Sequence, residues 1–128
     1  MLSEADIERI AARIAAGCDP LVVGTFGSYA VGRAQASSDL DLFVILRTAQ
    51  PRASRRRSVA RYLFGIMYPL DVHVFTPGEF EEEAREHLSF AWVILRQARL
   101  YHWKAEAAAQ VPSLLEAADN LRGRTADR

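Results

Sequence analysis

The segment Asp39–Leu46, DLDLFVIL, limits what this chain can fold into more than any other stretch of it. Its apolar, partly β-branched character marks the clearest strand in the sequence. Successive side chains of a strand point to opposite faces. Leu40, Leu42, Val44 and Leu46 therefore share a face that must be core, while Asp39, Asp41, Phe43 and Ile45 share the other. One strand thus delivers two carboxylates to the same side of a sheet.

The neighbouring segments supply the rest of an α/β pattern. LVVGTFG predicts a buried strand over about Leu21–Thr25, and LDVHVF a third strand over Leu70–Phe75, closed by Thr76-Pro77-Gly78. Ser3 caps a first helix with Asp6 in the reciprocal position. Ile7, Ile10, Ala11 and Ile14 continue it at helical spacing, and Gly17 stops it. One or two helical turns are predicted over Ser28–Arg33. A helix opens at Pro51 and runs to about Phe64, ended by Gly65 and Pro69. Glu79, Glu81, Glu82 and Glu83 open the next helix, where the positive end of its dipole favours them. The pattern FAWVILRQARL over Phe90–Leu100 suits helix or strand, and helix is preferred to about Arg99. Another covers about 105–121, with Pro112 as a break, and a frayed tail covers 123–128.

Helices alternating with three strands predict an α/β fold of the α+β type, with a small mixed sheet of three or slightly more strands. Helices are expected mainly on one face, with the acids lining a cleft on the other face or its edge. A length of 128 residues suits one domain, 1–128, with its core over about 5–105. Half of the residues are hydrophobic, too many for a disordered chain. Lys plus Arg balances Asp plus Glu at 16 each, so net charge indicates neither direct nucleic-acid binding nor a membrane surface. The basic cluster Arg52, Arg55, Arg56, Arg57 and Arg61 lacks interleaved aromatics, and a solvated helix face explains it as well as an anionic partner does. The one cysteine, Cys18, excludes a disulfide framework and a Cys-rich zinc site. No apolar stretch approaches the ~20 residues of a membrane span. The acidic, amphipathic opening MLSEADIERI is unlike a secretory signal, so a cytoplasmic protein is expected.

The chemistry concentrates in two places. Asp39 and Asp41 repel each other, and each raises the other's pKa unless something positive lies between them. A hard divalent cation meets that need, and Mg²⁺ suits a site of few carboxylates completed by phosphate oxygens. Asp71 shares its face with His73 and Phe75 and joins the same site if the third strand neighbours the second. Three acids on adjacent strands suit two metal ions and an in-line displacement at phosphorus, with Asp71 helping to deprotonate the incoming hydroxyl. Gly27 lets backbone N–H groups approach a phosphate, and the Ser28 hydroxyl adds a donor. His73, Trp92, Tyr101 and Trp103 read foremost as packing residues, and the acidic run Glu79–Glu86 as a wet helix surface.

These residues resemble a known family. GTFGSYAVGRAQASSDLDLFVIL is similar to the signature of the DNA polymerase β-like nucleotidyltransferase superfamily, and most of all to its small prokaryotic branch, the minimal nucleotidyltransferases. The shared features are Gly27, Ser28, Ala30, Gly32, Ala34, Ser38, Asp39, Asp41 and Leu42, with Asp71 in DVHVFTP matching the family's third acid. ILRQARLYH resembles the family's late helix and the short apolar element after it. The resemblance implies a polymerase-β-like palm that moves a nucleoside monophosphate from a Mg²⁺-bound triphosphate, ATP foremost, to a hydroxyl. It assigns Gly27 and Ser28 to the triphosphate, Asp39, Asp41 and Asp71 to two Mg²⁺ ions, and Asp71 also to the acceptor. The ~25 residues after Trp103 are too few for the drug-binding helical domain of larger relatives. By the same resemblance the chain is an antitoxin that adenylylates a HEPN-type toxin protein on a tyrosine and assembles with it. The alternative is a non-catalytic antitoxin that occludes its toxin and keeps a vestigial nucleotide site. Base preference is not legible in these residues.

Overall fold

The computed structural model describes residues 1–126. Helix α1 (Glu4–Cys18) begins as its sequence dictates. The Ser3 hydroxyl accepts from the Asp6 amide, the Asp6 carboxylate accepts from the Ser3 amide, and Ile7, Ile10, Ala11 and Ile14 are buried. The helix runs past Gly17 and ends at Asp19, which takes the left-handed conformation, φ 50°. Gly17 has a packing role instead, because a Cβ there would overlap the Tyr62 ring.

Four strands follow: β1 (Val22–Phe26), β2 (Leu40–Ile45), β3 (Leu70–Phe75) and β4 (Arg99–Trp103). They form one sheet in the order β3-β2-β1-β4. β2 and β3 are parallel, and β1 is antiparallel to both β2 and β4. β4 is the strand beyond the three located in the sequence and agrees with the small mixed sheet of three or slightly more expected there. Helix α4 (Phe90–Gln97) stops before Ala98, which turns extended, and the chain pairs at once with the second edge of β1. All five β1 residues are buried, so an unpaired edge there would strand backbone N–H and C=O groups away from water.

Helices cover both faces of the sheet, where the sequence reading placed them mainly on one. On one face α1, α2 (Arg52–Ala60) and the 3₁₀ turn Arg61–Leu63 pack on Leu40, Leu42, Val44, Val72 and Val74. On the other, α3 (Pro77–Glu83), α4, α5 (Ala107–Gln110) and α6 (Pro112–Ala126) enclose Phe43, Ile45, Phe75 and Val22. The physical reason lies in the second half of β2 and β3. Phe43, Ile45 and Phe75 follow the acids on the same face, and burying each is worth about 1.5–3 kcal/mol. Pro112 stands at the first position of α6, a place where proline's missing N–H costs nothing. The tail expected over 123–128 starts inside α6, and residues 127 and 128 lie outside the described part. Among the described residues no helix is long and apolar enough to cross a membrane.

The charged runs hold the helical layers together. Thr76 caps α3 in a box with Glu79, and Pro77 occupies the first turn. The Glu79 carboxylate also accepts from both terminal guanidinium nitrogens of the buried Arg55, at 2.5 and 3.1 Å. Arg52 makes a two-pronged pair with Glu83 at 2.9 and 3.0 Å, and Glu81 accepts from the Ser113 amide and hydroxyl. The acidic run is therefore bound to α2 and α6 at alternate positions rather than simply wet.

Arg55 and the Thr76 cap lower the Glu79 pKa from 4.5 to about 2. A depressed carboxylate stabilises the fold above its unfolded pKa and loses that contribution as pH falls through the folded value. Glu79→Gln is expected to lower stability at pH 7. Its deficit against the wild type should shrink between pH 4.5 and about 2 in denaturant titrations run across that range.

Candidate functional site

The antiparallel register of β1 and β2 sets Phe26 opposite Asp41. Gly27 leaves the strand next and turns back over that carboxylate with φ +77°. A Cβ on Gly27 would coincide with the Asp41 side chain, so glycine is required both by conformation and by space. The Gly27 carbonyl accepts from the amides of Ala30 and Val31 at 3.1 and 3.2 Å, and the Ser28 carbonyl accepts from Arg33 at 2.8 Å. These bonds make a tight turn and replace the helical turns that the sequence reading placed over Ser28–Arg33. Gly32 again takes positive φ, +76°, which stops a helix from propagating. Among the described residues nothing accepts a hydrogen bond from the consecutive amides of Ser28 and Tyr29. Successive N–H groups beside a left-handed residue form the concave donor pair that binds anions.

The parallel register of β2 and β3 aligns Asp41 with Asp71, on strands about 4.8 Å apart. Asp39 stands exposed just ahead of β2, and its charge still reaches Asp41. Burial raises the Asp41 pKa first, and the Asp71 charge second, with Asp39 adding to the rise and His73 opposing it. The structure thus sets Gly27, and Ser28 after it, against Asp41 and places Asp71 level with Asp41, while Asp39 stands exposed one residue ahead of β2 within reach of the Asp41 charge.

The surroundings of the acids were less legible. Asp71 is held by Arg56 and by His73 Nε2, each at 3.2 Å. The His73 ring packs between Phe26 and the exposed Phe90, with centroids 5.3 and 4.4 Å away. His73 therefore combines packing with contact to the site. Gln97, near the end of α4, accepts the Gly27 amide at 2.8 Å through Oε1 and fixes the turn from the far side. No local pattern in ILRQARL distinguishes that glutamine from a solvated one. The Arg52–Arg61 cluster splits by helical position: Arg52 and Arg55 tie α2 to α3, and Arg56 faces the acids.

The donor set fits a hard cation. Among the described residues no three His, Cys, Asp or Glu side chains stand in a ready-made metal cage. Mg²⁺ needs none, because it takes one or two carboxylates and completes its octahedron with water and phosphate oxygens. Asp41, raised by like charges and burial, offers the oxygen such an ion would neutralise.

A carboxylate with a raised pKa weakens the fold wherever it is ionised in the native state. Asp41→Asn is therefore expected to raise the melting temperature of metal-free protein at pH 7. That gain should disappear as pH falls below the ordinary aspartate value of 3.8, where the unfolded carboxyl also protonates. A melting series against pH checks both parts.

No curated protein matches the chain in sequence. Solved structures do match. A toxin–antitoxin structure with AMP-PNP is 14% identical with a TM-score of 0.57, covering 94% of this chain and 91% of that one. A putative nucleotidyltransferase from Sulfolobus solfataricus is 24% identical with a TM-score of 0.54, covering 78% of each chain. A mutant of the toxin–antitoxin pair MntA-HpeT is 14% identical with a TM-score of 0.53, covering 100% and 93%. At these identities the likeness is one of fold. Residues 9–104 match the family model of the nucleotidyltransferase domain, a span that holds Gly27, Ser28 and all three acids. The chain belongs to the nucleotidyltransferase domain family.

Proposed function

We propose that the chain transfers AMP from ATP, with Mg²⁺, to a hydroxyl of a protein partner, and that this partner is a HEPN-type toxin. The observation that carries the reading is that Gly27 closes over Asp41, with Asp71 level with it on β3 and the charge of Asp39 reaching it from just ahead of β2. The fold neighbours from toxin–antitoxin structures support the choice of partner.

In this reading the amides of Ser28 and Tyr29 and the Ser28 hydroxyl bind the triphosphate. Gly27 keeps the backbone low enough for phosphate and carboxylate to share one space. Asp39, Asp41 and Asp71 would hold two Mg²⁺ ions. Bound Mg²⁺ would supply charge neutralisation at the attacking and leaving oxygens. Asp71 takes the proton of the acceptor hydroxyl, whose oxygen bonds to the α-phosphorus as the bond to pyrophosphate breaks. Each Asp71 oxygen has two lone pairs, so its bonds to Arg56 and His73 leave capacity for that proton. Asp71 lies on the edge strand β3, so the acceptor reaches it from the open side of the sheet.

α-Labelled ATP with Mg²⁺ and the co-purified partner tests the proposal. The wild type is expected to label the partner, and Asp39→Asn combined with Asp41→Asn should cut labelling by at least about a hundredfold while the protein stays folded. Full labelling by the double variant would contradict the site. No labelling by the wild type, with partner binding intact, would instead favour an antitoxin that acts by occlusion.

A further inference from the structure

We propose that Tyr29 and Tyr68 are positioning residues that lock the Gly27-Ser28 turn and Asp39 into one unit, an inference that rests on the reading of these residues as a nucleotide and metal site. Tyr29 directly follows Ser28. Tyr68 lies in the connection before β3, two residues ahead of Leu70. The two hydroxyls share a hydrogen bond, and their rings pack edge to face with centroids 6.3 Å apart.

The direction of the bonds is fixed by counting protons. A tyrosine hydroxyl has one proton to donate. Tyr68 donates its proton to the Ser38 carbonyl at 2.9 Å. The bond between the rings is therefore donated by Tyr29 and accepted by Tyr68. Tyr29 in turn accepts the Leu2 amide at 3.1 Å. The result is a one-way relay from the start of the chain through both tyrosines to Ser38, whose carbonyl belongs to the peptide that joins it to Asp39.

The relay has a mechanical consequence. From Ala30 to Ser38 the backbone amides that bond do so locally, Arg33 back to Ser28 at 2.8 Å and Ser38 back to Gln35 at 3.0 Å among them. Asp39 is exposed at the end of that span. Tyr68 ties this end to the segment that leads into β3 and hence to Asp71, and the adjacent bond from the Leu40 amide to the Pro69 carbonyl, 3.1 Å, runs beside it. Triphosphate turn, first acid and third-acid strand thus meet at one pair of hydroxyls, none of which touches the reacting atoms.

Tyr68→Phe keeps the ring and removes both relay bonds of residue 68, leaving the Ser38 carbonyl unpaired. Tyr29→Phe removes the bonds to Tyr68 and to the Leu2 amide and spares the bond to Ser38. Full-length protein is compared in two measurements. Amide hydrogen exchange of metal-free protein is followed in segments 27–33 and 35–40, and the Mg²⁺ concentration that half-saturates ATP binding is titrated. Tyr68→Phe is expected to speed exchange in both segments and to raise the half-saturating Mg²⁺ about three- to tenfold, the worth of one hydrogen bond. Tyr29→Phe should move both readouts the same way by less. Unchanged exchange in Tyr68→Phe overturns the relay, and faster exchange with unchanged Mg²⁺ dependence overturns its positioning role. A wild type that binds no ATP with Mg²⁺ overturns the nucleotide reading and the positioning role with it, whereas the exchange data separately decide whether the lock exists.

Discussion

Gly27 and the Asp41 carboxylate stand so close that residue 27 has no room for a Cβ. The remainder of the site is arranged around that approach. It requires β1 to end opposite Asp41, which the antiparallel register provides, and it requires the chain to turn with positive φ at that residue. The parallel register of β2 and β3 then brings Asp71 level with Asp41. Two registers and one glycine set the Gly27 turn against Asp41 and Asp71 level with it, with Asp39 just ahead of β2.

That site is polar at the end of a face that is otherwise core. Phe43, Ile45 and Phe75 follow the acids along β2 and β3 and are fully enclosed by the helices of that side. Their burial stabilises the layer that the crowded carboxylates weaken, since like charges and partial desolvation both disfavour an ionised Asp41. The arginines of α2 divide the same way. Arg55 is buried in a bidentate pair that joins helices, and Arg56, one residue on, turns to Asp71.

β2 and β3 were legible in the sequence because alternation over six residues leaves little choice of face, and Asp41 and Asp71 followed from it. The α1 cap was legible from Ser3 and Asp6 alone. β4 was not, because RLYHW alternates poorly and follows α4 after a single residue, Ala98, so its strand character comes from the vacant edge of β1. The turn after Gly27 was misread as helix because small residues and a glycine suit both, and two left-handed glycines decided against it. Gln97 and Tyr68 carry no local mark at all. Gln97 is 70 residues from the amide it accepts, and Tyr68 is 30 residues from the carbonyl it binds. Contacts of that range are made by the fold, after the elements have formed.

The most direct measurement is a two-dimensional NMR titration of the uniformly ¹⁵N-labelled protein with ATP and trace Mn²⁺ in place of Mg²⁺. Paramagnetic broadening reports proximity to the bound ion residue by residue. The account predicts that broadening centres on the amides of 27–29, 39–41 and 71, and that Asp39→Asn with Asp41→Asn removes it. Broadening centred on Arg57 of α2 and Arg61 of the 3₁₀ turn, or none that depends on nucleotide, would contradict the assignment of the site.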